Sequence, residues 1–138
     1  MEKIIELFRK DNFAKACGIE IEEVRHGYAK CSMEVTSGHL NGIGILMGGA
    51  VFTLADYTFS LAANSHGIIA VTRDASITYI RKCVGGKVTA IATEITRDDK
   101  SGSYSVEIIN DDNETIAQIN GTAFFIKKSF QSKEVKKI

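Results

Sequence analysis

The sequence predicts an α+β fold with one long helix and about five antiparallel strands in a single domain. Three observations lead to this expectation. An apolar stretch of helical character runs from about residue 48 to 64, directly after a glycine-rich loop. Four strand-like runs follow it in succession, separated by short turn signals. One alternating run precedes it, so the strands that must cover the helix belong to one sheet.

The elements can be placed in chain order from their periodicity. Residues 2–16 mix apolar and charged positions and predict a short amphipathic helix that ends near Gly18. Apolar and polar side chains alternate in GYAKCSMEV, which predicts a strand over 27–35. After the long helix, strands are expected at 68–81, 87–97, 103–110 and 115–128. The single domain spans 1–138, with a core of about 18–127 and a basic, solvated tail at 128–138.

Composition excludes several classes of function. The chain of 138 residues has 17 basic and 17 acidic side chains and no net charge, which argues against nucleic acid or an acidic membrane as partner. No window approaches 18 continuous apolar residues, so no membrane span is expected. The three cysteines show no CxxC spacing, which is typical of reduced thiols in the cytoplasm. The three histidines have no metal-ligand spacing, so no metal is expected.

Asp56 is the one formally charged residue between positions 35 and 72. A carboxylate in so long an uncharged stretch is costly unless it is paired or used. The helical pattern leaves two interpretations open. Asp56 is either the charged member of a polar stripe or a functional carboxylate in a half-buried site. The stripe consists of Thr53, Tyr57, Ser60 and Asn64.

Gly48 and Gly49 stand at the start of the long helix. The first N–H groups of a helix have no partner inside it, and the helix dipole adds positive character there. Such an end can stabilise an oxyanion, and glycine lets a substrate approach the backbone closely. A Gly-Gly pair alone is more often a turn with a close helix–sheet contact.

The stretch LNGIGILMGGAVFTLADYTFSLAANSHG, residues 40–67, resembles the hotdog-fold thioesterases of the PaaI type, within the superfamily of 4-hydroxybenzoyl-CoA thioesterase-like proteins. Their pattern is an Asn, a Gly-rich turn, HGG and a helix that reads roughly tLaD. The later stretches AVTRDASITYIR, GGKVTAIATEI and GSYSVEIINDDNETIAQINGTAFF also fit. The resemblance covers about residues 18–127.

This resemblance implies a hotdog fold, with a long helix wrapped by an antiparallel sheet, and an acyl-CoA substrate. Coenzyme A would be part of the substrate, and no separate cofactor is expected. The family's catalytic acid falls on Asp56 and its oxyanion donor on the Gly48 N–H. Asn41 corresponds to the residue that holds the loop and the substrate carbonyl or water. Thr72 corresponds to a hydroxyl residue that helps place water. Family members pair sheets edge to edge and commonly form tetramers as dimers of dimers.

The spacing of Gly48 and Asp56 supports a shared site. Eight residues of helix separate them, or about 12 Å. The carboxylate and the oxyanion donor must both lie within about 3 Å of one reacting group. We therefore predict composite sites in a homodimer, with Gly48 and Asn41 from one subunit and Asp56 and Thr72 from its partner.

Other candidate residues would bind the substrate. Gly49 is a candidate for substrate binding at the helix start. Phe52 and Tyr57 are candidates for the acyl pocket, and both could equally be core. Arg81 and Lys82 precede a glycine turn and are candidates for the phosphates of coenzyme A.

One departure from the family pattern leaves an alternative open. Met47 replaces the histidine of HGG, so a non-catalytic acyl-CoA or acyl-thioester binding protein is the competing interpretation. A hotdog dehydratase is less consistent with the sequence, because no histidine has a suitable position on the helix.

Overall fold

The computed structural model describes residues 1–130 and confirms the long helix at its predicted bounds. The elements are α1 (Glu2–Phe8), α2 (Asn12–Cys17), β1 (Ile19–Arg25), β2 (Tyr28–Glu34), α3 (Gly48–Asn64), β3 (Ile68–Tyr79), β4 (Lys87–Arg97), β5 (Ser101–Ile109) and β6 (Thr115–Ser129). Every predicted strand is present, with ends that differ by no more than two residues. In the described part of the chain, no helix is long and apolar enough to cross a membrane.

The strands form one antiparallel sheet of six, in the order β1-β2-β4-β5-β6-β3. Helix α3 packs across one face of this sheet and buries ten of its side chains. A long helix wrapped by an antiparallel sheet is the arrangement implied by the resemblance. Strands β1 and β3 lie at the two edges, so each offers one unpaired side.

The sixth strand, β1, corrects the expected number of about five. Its inward side chains Ile19, Ile21 and Val24 pack against the core, while its glutamates face solvent. A register shift between Ile21 and Glu23 breaks the period of two. Simple alternation is therefore absent from the sequence of this strand.

The single helix predicted for 2–16 is also wrong, because the structure has two short helices there. The carboxylate of Asp11 accepts a hydrogen bond from the Ala14 N–H at 2.9 Å and caps the start of α2. Helix α2 ends at Gly18, whose φ of 78° is left-handed. The cap begins a new helix after the turn at residues 9–11, and the amphipathic pattern does not reveal the break.

The core lies between α3 and the sheet. The rings of Phe59 and Tyr104 have their centroids 5.2 Å apart within it. Position 121 on β6 must be glycine, because a Cβ there would overlap the Phe59 ring and lie 2.9 Å from the Asp74 carbonyl oxygen. This close approach lets the sheet curve around the helix.

The predicted solvated tail begins too early. Strand β6 continues to Ser129, which pairs with Ile68, and Phe130 is buried. The first three residues of the predicted tail, 128–130, are therefore part of the fold. Residues 131–138 lie outside the described residues.

Candidate active site

Asp56 lies on α3 and lines a cavity of about 370 Å³. Its side chain is half-buried. Burial, and after it the negative charge of Asp11, raise the pKa of the Asp56 carboxyl above its ordinary value of 3.8. The cavity is lined by Phe8, Asp11, Phe13, Ala14, Thr53, Asp56, Tyr57, Ser60, Asn64, Ala70, Val71 and Thr72. Asp56 is thus a carboxylate held in a partly apolar site, where it is a stronger base than a solvated one.

The polar stripe beside Asp56 is mostly covered by other elements. The Tyr57 hydroxyl donates to the Phe8 carbonyl oxygen at 2.7 Å, and only 7% of the tyrosine is exposed. Tyr57 therefore ties α1 to α3 and also forms part of the cavity wall. The stripe that contains Asp56 is therefore not a freely solvated face.

Asn64 fixes the position of β3 relative to α3. Its side-chain carbonyl accepts from the Ala70 N–H at 2.8 Å, and its amide donates to the Ala70 carbonyl oxygen at 3.2 Å. Thr72 follows two residues later on β3 and lines the same cavity as Asp56. Asp56 and Thr72, which the resemblance assigns to one site, therefore border one cavity, and Thr72 is exposed.

Gly48 lines a second cavity, of about 390 Å³, together with Arg81 and Lys82. Within residues 1–130 the Gly48 N–H makes no hydrogen bond, as is usual for the first turn of a helix. The carbonyl oxygen of Gly48 accepts a hydrogen bond from the Tyr79 hydroxyl at 2.9 Å. A free donor at a helix start beside two cationic side chains is suited to a negatively charged group.

The loop before α3 is held by side chains. The Asn41 side-chain oxygen accepts from the N–H groups of Ile43 and Ile45 at 3.1 and 3.0 Å. His39 Nε2–H donates to the Cys17 carbonyl oxygen at 2.7 Å, and its Nδ1 accepts from the Thr36 N–H at 3.0 Å. Both ring nitrogens are used, so His39 is a structural residue of the loop. Asn41 holds the loop in the same way, and its outer face is exposed.

The remaining substrate-binding candidates occupy different environments. Arg81 forms an ion pair with Glu114, Nε to Oε2 3.3 Å, and Lys82 is exposed. Phe52 is half-buried and packs against the core, whereas Gly49 is exposed at the helix start. Met47 is 55% exposed, and its side chain turns back toward Gly49. The methionine side chain therefore lies over the first turn of α3 and faces solvent.

One protomer does not unite all the predicted residues. Gly48, Arg81 and Lys82 share one cavity, and Asp56, Tyr57 and Thr72 share the other. Sequence reasoning missed the tyrosine hydrogen bond to Gly48, the Asn64 contacts and the wall that α1 and α2 form. The residues that make these contacts or form this wall are Phe8, Asp11, Phe13, Asn64 and Tyr79. Asp11 carried a usable signal, as a capping residue between two apolar stretches.

No metal site accompanies these cavities in the part of the chain that the structure describes. Among residues 1–130 no group of three or more His, Cys, Asp or Glu side chains is arranged to hold a metal ion.

Comparisons with known proteins give the chain a family. The family model of the thioesterase superfamily matches residues 43–117. A curated relative from Archaeoglobus fulgidus is 36% identical over 125 residues, 90% of this chain and 81% of that protein. The acyl-coenzyme A thioesterase PaaI of Escherichia coli K12 is 34% identical over 116 residues, 83% of each chain.

Solved structures agree with the sequence matches. The structure of E. coli PaaI, from the phenylacetic acid degradation operon, has a TM-score of 0.87 at 33% identity and covers 93% of this chain and 96% of its own. A hypothetical thioesterase of Streptococcus pneumoniae TIGR4, solved with coenzyme A, has a TM-score of 0.84 at 25% identity over 91% and 98% of the two chains. The fold is therefore a hotdog, and the chain is a thioester hydrolase of the thioesterase superfamily and belongs among its PaaI-type members.

Proposed function

We propose that this protein is an acyl-CoA thioesterase that hydrolyses a small aromatic or aliphatic acyl-CoA to the free acid and coenzyme A. One observation carries the proposal. A half-buried carboxylate, Asp56, borders the same cavity as Thr72 and lies on the helix whose first residue, Gly48, presents a free N–H. Hydrolysis of a thioester needs both of these functions, a base or nucleophile and an oxyanion donor. The similarity to E. coli PaaI supports the substrate class.

The proposed mechanism uses the chain's own groups. The Gly48 N–H and the helix dipole polarise the thioester carbonyl. Asp56 takes a proton from a water that attacks the carbonyl carbon, or attacks it directly to form an anhydride that water then opens. The C–S bond breaks and coenzyme A leaves as a thiolate, which needs little help from an acid. Thr72 holds the water, and no metal or separate cofactor takes part in these steps.

We propose further that each site is shared between two chains. Gly48 and Asp56 lie in different cavities of one protomer, and eight residues of helix, about 12 Å, separate them. Strand β3 carries Thr72, lies at the edge of the sheet and exposes most of its side chains, including Val71 and Tyr79. Pairing two β3 edges would continue the sheet and bring Gly48 and Asn41 of one chain to Asp56 and Thr72 of the other. A dimer of dimers is the assembly we propose.

Coenzyme A would reach the site past Arg81 and Lys82. Both line the cavity of Gly48, and the S. pneumoniae relative was solved with coenzyme A. Lys82 is exposed and available, whereas Arg81 must share its guanidinium with Glu114. We propose a cytoplasmic location, which the three unpaired cysteines support.

Release of free thiol from a panel of acyl-CoAs tests the proposed function. The panel should contain acetyl, hexanoyl, benzoyl, phenylacetyl and longer aliphatic groups, with the oligomeric size measured in parallel. Turnover of at least one member at a kcat/KM of about 10⁴ M⁻¹s⁻¹ or more is the expected result. Tight binding of acyl-CoA without turnover would contradict it. That result would support the competing function of a binding protein, in which Met47 marks the lost chemistry.

A further inference from the structure

The cavity of Asp56 has one wall that does not belong to the helix–sheet core. Phe8, Asp11, Phe13 and Ala14 come from α1, α2 and the turn between them. The thioesterase family model matches residues 43–117, so it contains Asp56 and Thr72 but not this wall. Asp56 and Thr72 thus lie inside the matched range, and the wall lies outside it.

The wall combines an exposed apolar ring with a fixed carboxylate. Phe13 borders the cavity although 67% of the residue is exposed, which is unusual for so large an apolar side chain. Asp11 is held in place because its carboxylate caps α2 through the Ala14 N–H. An apolar ligand in the cavity would cover the Phe13 ring and gain free energy from the area buried.

Charge in this cavity is of one sign. Asp11 and Asp56 are both lining residues, and the twelve lining residues include no lysine, arginine or histidine. Arg9 and Lys15 line a separate groove on the other side of Tyr57. A second anionic group that entered the cavity would therefore meet repulsion, and this chain supplies no lining cation to offset it.

We propose that the junction of α1 and α2, residues 8–14, is the wall that selects the acyl group. Phe13 contacts an uncharged, apolar acyl chain, and Asp11 repels acyl chains that end in a carboxylate. Both residues are specificity-determining rather than catalytic. This inference rests on the proposed thioesterase function, because it places the acyl group beside Asp56.

Two non-hydrolysable thioethers of equal chain length test the proposal by calorimetry. S-hexyl-CoA and S-(5-carboxypentyl)-CoA both carry six carbons and differ in the terminal carboxylate, and S-methyl-CoA reports binding of the coenzyme alone. We expect the wild type to bind the hexyl compound at least about tenfold more tightly than the carboxypentyl compound. Asp11→Asn should reduce this ratio about fivefold, because asparagine keeps the cap and removes the charge. Asp99→Asn, in the turn between β4 and β5, removes a remote charge and should leave the ratio unchanged.

Phe13 is tested with the same compounds. Phe13→Ala should lower the affinity for S-hexyl-CoA about tenfold and leave the affinity for S-methyl-CoA within about twofold of wild type. Phe13→Leu should restore most of the lost affinity for S-hexyl-CoA. Ile95→Ala, which truncates a similarly exposed apolar residue on β4, serves as the control for general surface effects.

Several outcomes would contradict the proposal that residues 8–14 select the acyl group. One is an equal loss of affinity for the methyl and hexyl compounds in Phe13→Ala, and another is a change of oligomeric size in that variant. The others are an equal effect of Asp11→Asn and Asp99→Asn on the ratio of the two affinities, and no binding of either six-carbon thioether. The result for the wall is separate from the result for the function. Turnover of an acyl-CoA without these changes in thioether selectivity contradicts only the proposed role of residues 8–14. Selective thioether binding without turnover of any acyl-CoA contradicts only the proposed function.

Discussion

The hydroxyl of Tyr79 donates a hydrogen bond to the carbonyl oxygen of Gly48 across 31 residues of chain. This bond fixes the peptide plane at the start of α3, beside the free N–H that we propose as oxyanion donor. It also explains the glycine, because a Cβ at position 48 would lie 2.9 Å from the tyrosine oxygen and 3.0 Å from its ring carbon. If Gly48 is the donor that we propose, Tyr79 is a positioning residue that acts through it.

Tyr79→Phe keeps the ring and removes the hydrogen bond. We expect kcat to fall about fivefold with KM for the acyl-CoA nearly unchanged, since one hydrogen bond of about 1 kcal/mol no longer orients the donor. Steady-state kinetics on the best substrate measure this split, with thermal melting as the control for folding. An unchanged kcat, or a change confined to KM, would show that the bond does not position the donor.

Gly48→Ala and Gly48→Pro separate the close packing at this position from the N–H itself. Both variants place a Cβ against Tyr79, but only proline removes the donor. Proline suits the first helical position, and Met47 already has the extended ψ of 138° that a residue before proline requires. We expect Gly48→Pro to be about 100-fold slower in kcat than Gly48→Ala. Equal rates for the two folded variants would exclude the Gly48 N–H as the oxyanion donor.

The sequence predicts the helix and the strands that follow it well, because each is a long run rich in apolar and β-branched residues that ends at a turn signal. It misses β1, where a bulge after Ile21 breaks the alternation. It also merges α1 with α2, because the amphipathic pattern continues across the cap at Asp11. Both failures are local features of the backbone that overrule a regular pattern.

The candidate site shows a similar division. Asp56 stands out because it is the one formally charged residue between positions 35 and 72 of the sequence. Gly48 stands out because it lies at the start of the long helix. Tyr79, Asn64 and Phe13 do not stand out, because their contacts depend on how distant segments meet. The Tyr57 hydroxyl, for example, reaches a carbonyl 49 residues away on α1. Such contacts follow from the assembled fold and have no signature in a single sequence.

A hybrid dimer tests the shared site. Asp56→Asn and Gly48→Pro chains, each with its own affinity tag, should both be nearly inactive alone. In a composite arrangement the hybrid contains one site with intact Gly48 from one chain and intact Asp56 from the other. We therefore expect the purified hybrid to have about half the activity of a wild-type dimer. A hybrid as inactive as its parents would place both residues of each site in one chain.

The raised pKa of Asp56 has consequences for both rate and stability. Burial and Asp11 raise it, so the acid limb of kcat/KM should fall above the ordinary carboxyl pKa of 3.8, and Asp11→Asn should move that limb to lower pH. A carboxyl whose pKa is higher in the folded state contributes stability below the unfolded pKa and loses it as pH rises through the folded pKa. Asp56→Asn should therefore raise the thermal midpoint at pH 7 relative to wild type, by a margin that shrinks toward pH 3. An opposite sign, or a margin independent of pH, would contradict the burial of a charged Asp56.

The most direct test of the account compares thiol release by wild type and Asp56→Asn on the acyl-CoA that the wild type hydrolyses fastest. Both proteins should first be shown to be folded and of equal oligomeric size, with Asp99→Asn as a matched charge control. Removal of the base or nucleophile predicts a loss of about 100-fold or more in kcat for Asp56→Asn and no loss for the control. If Asp56→Asn retained wild-type activity, Asp56 would not be the catalytic carboxylate, and the proposed mechanism would be wrong.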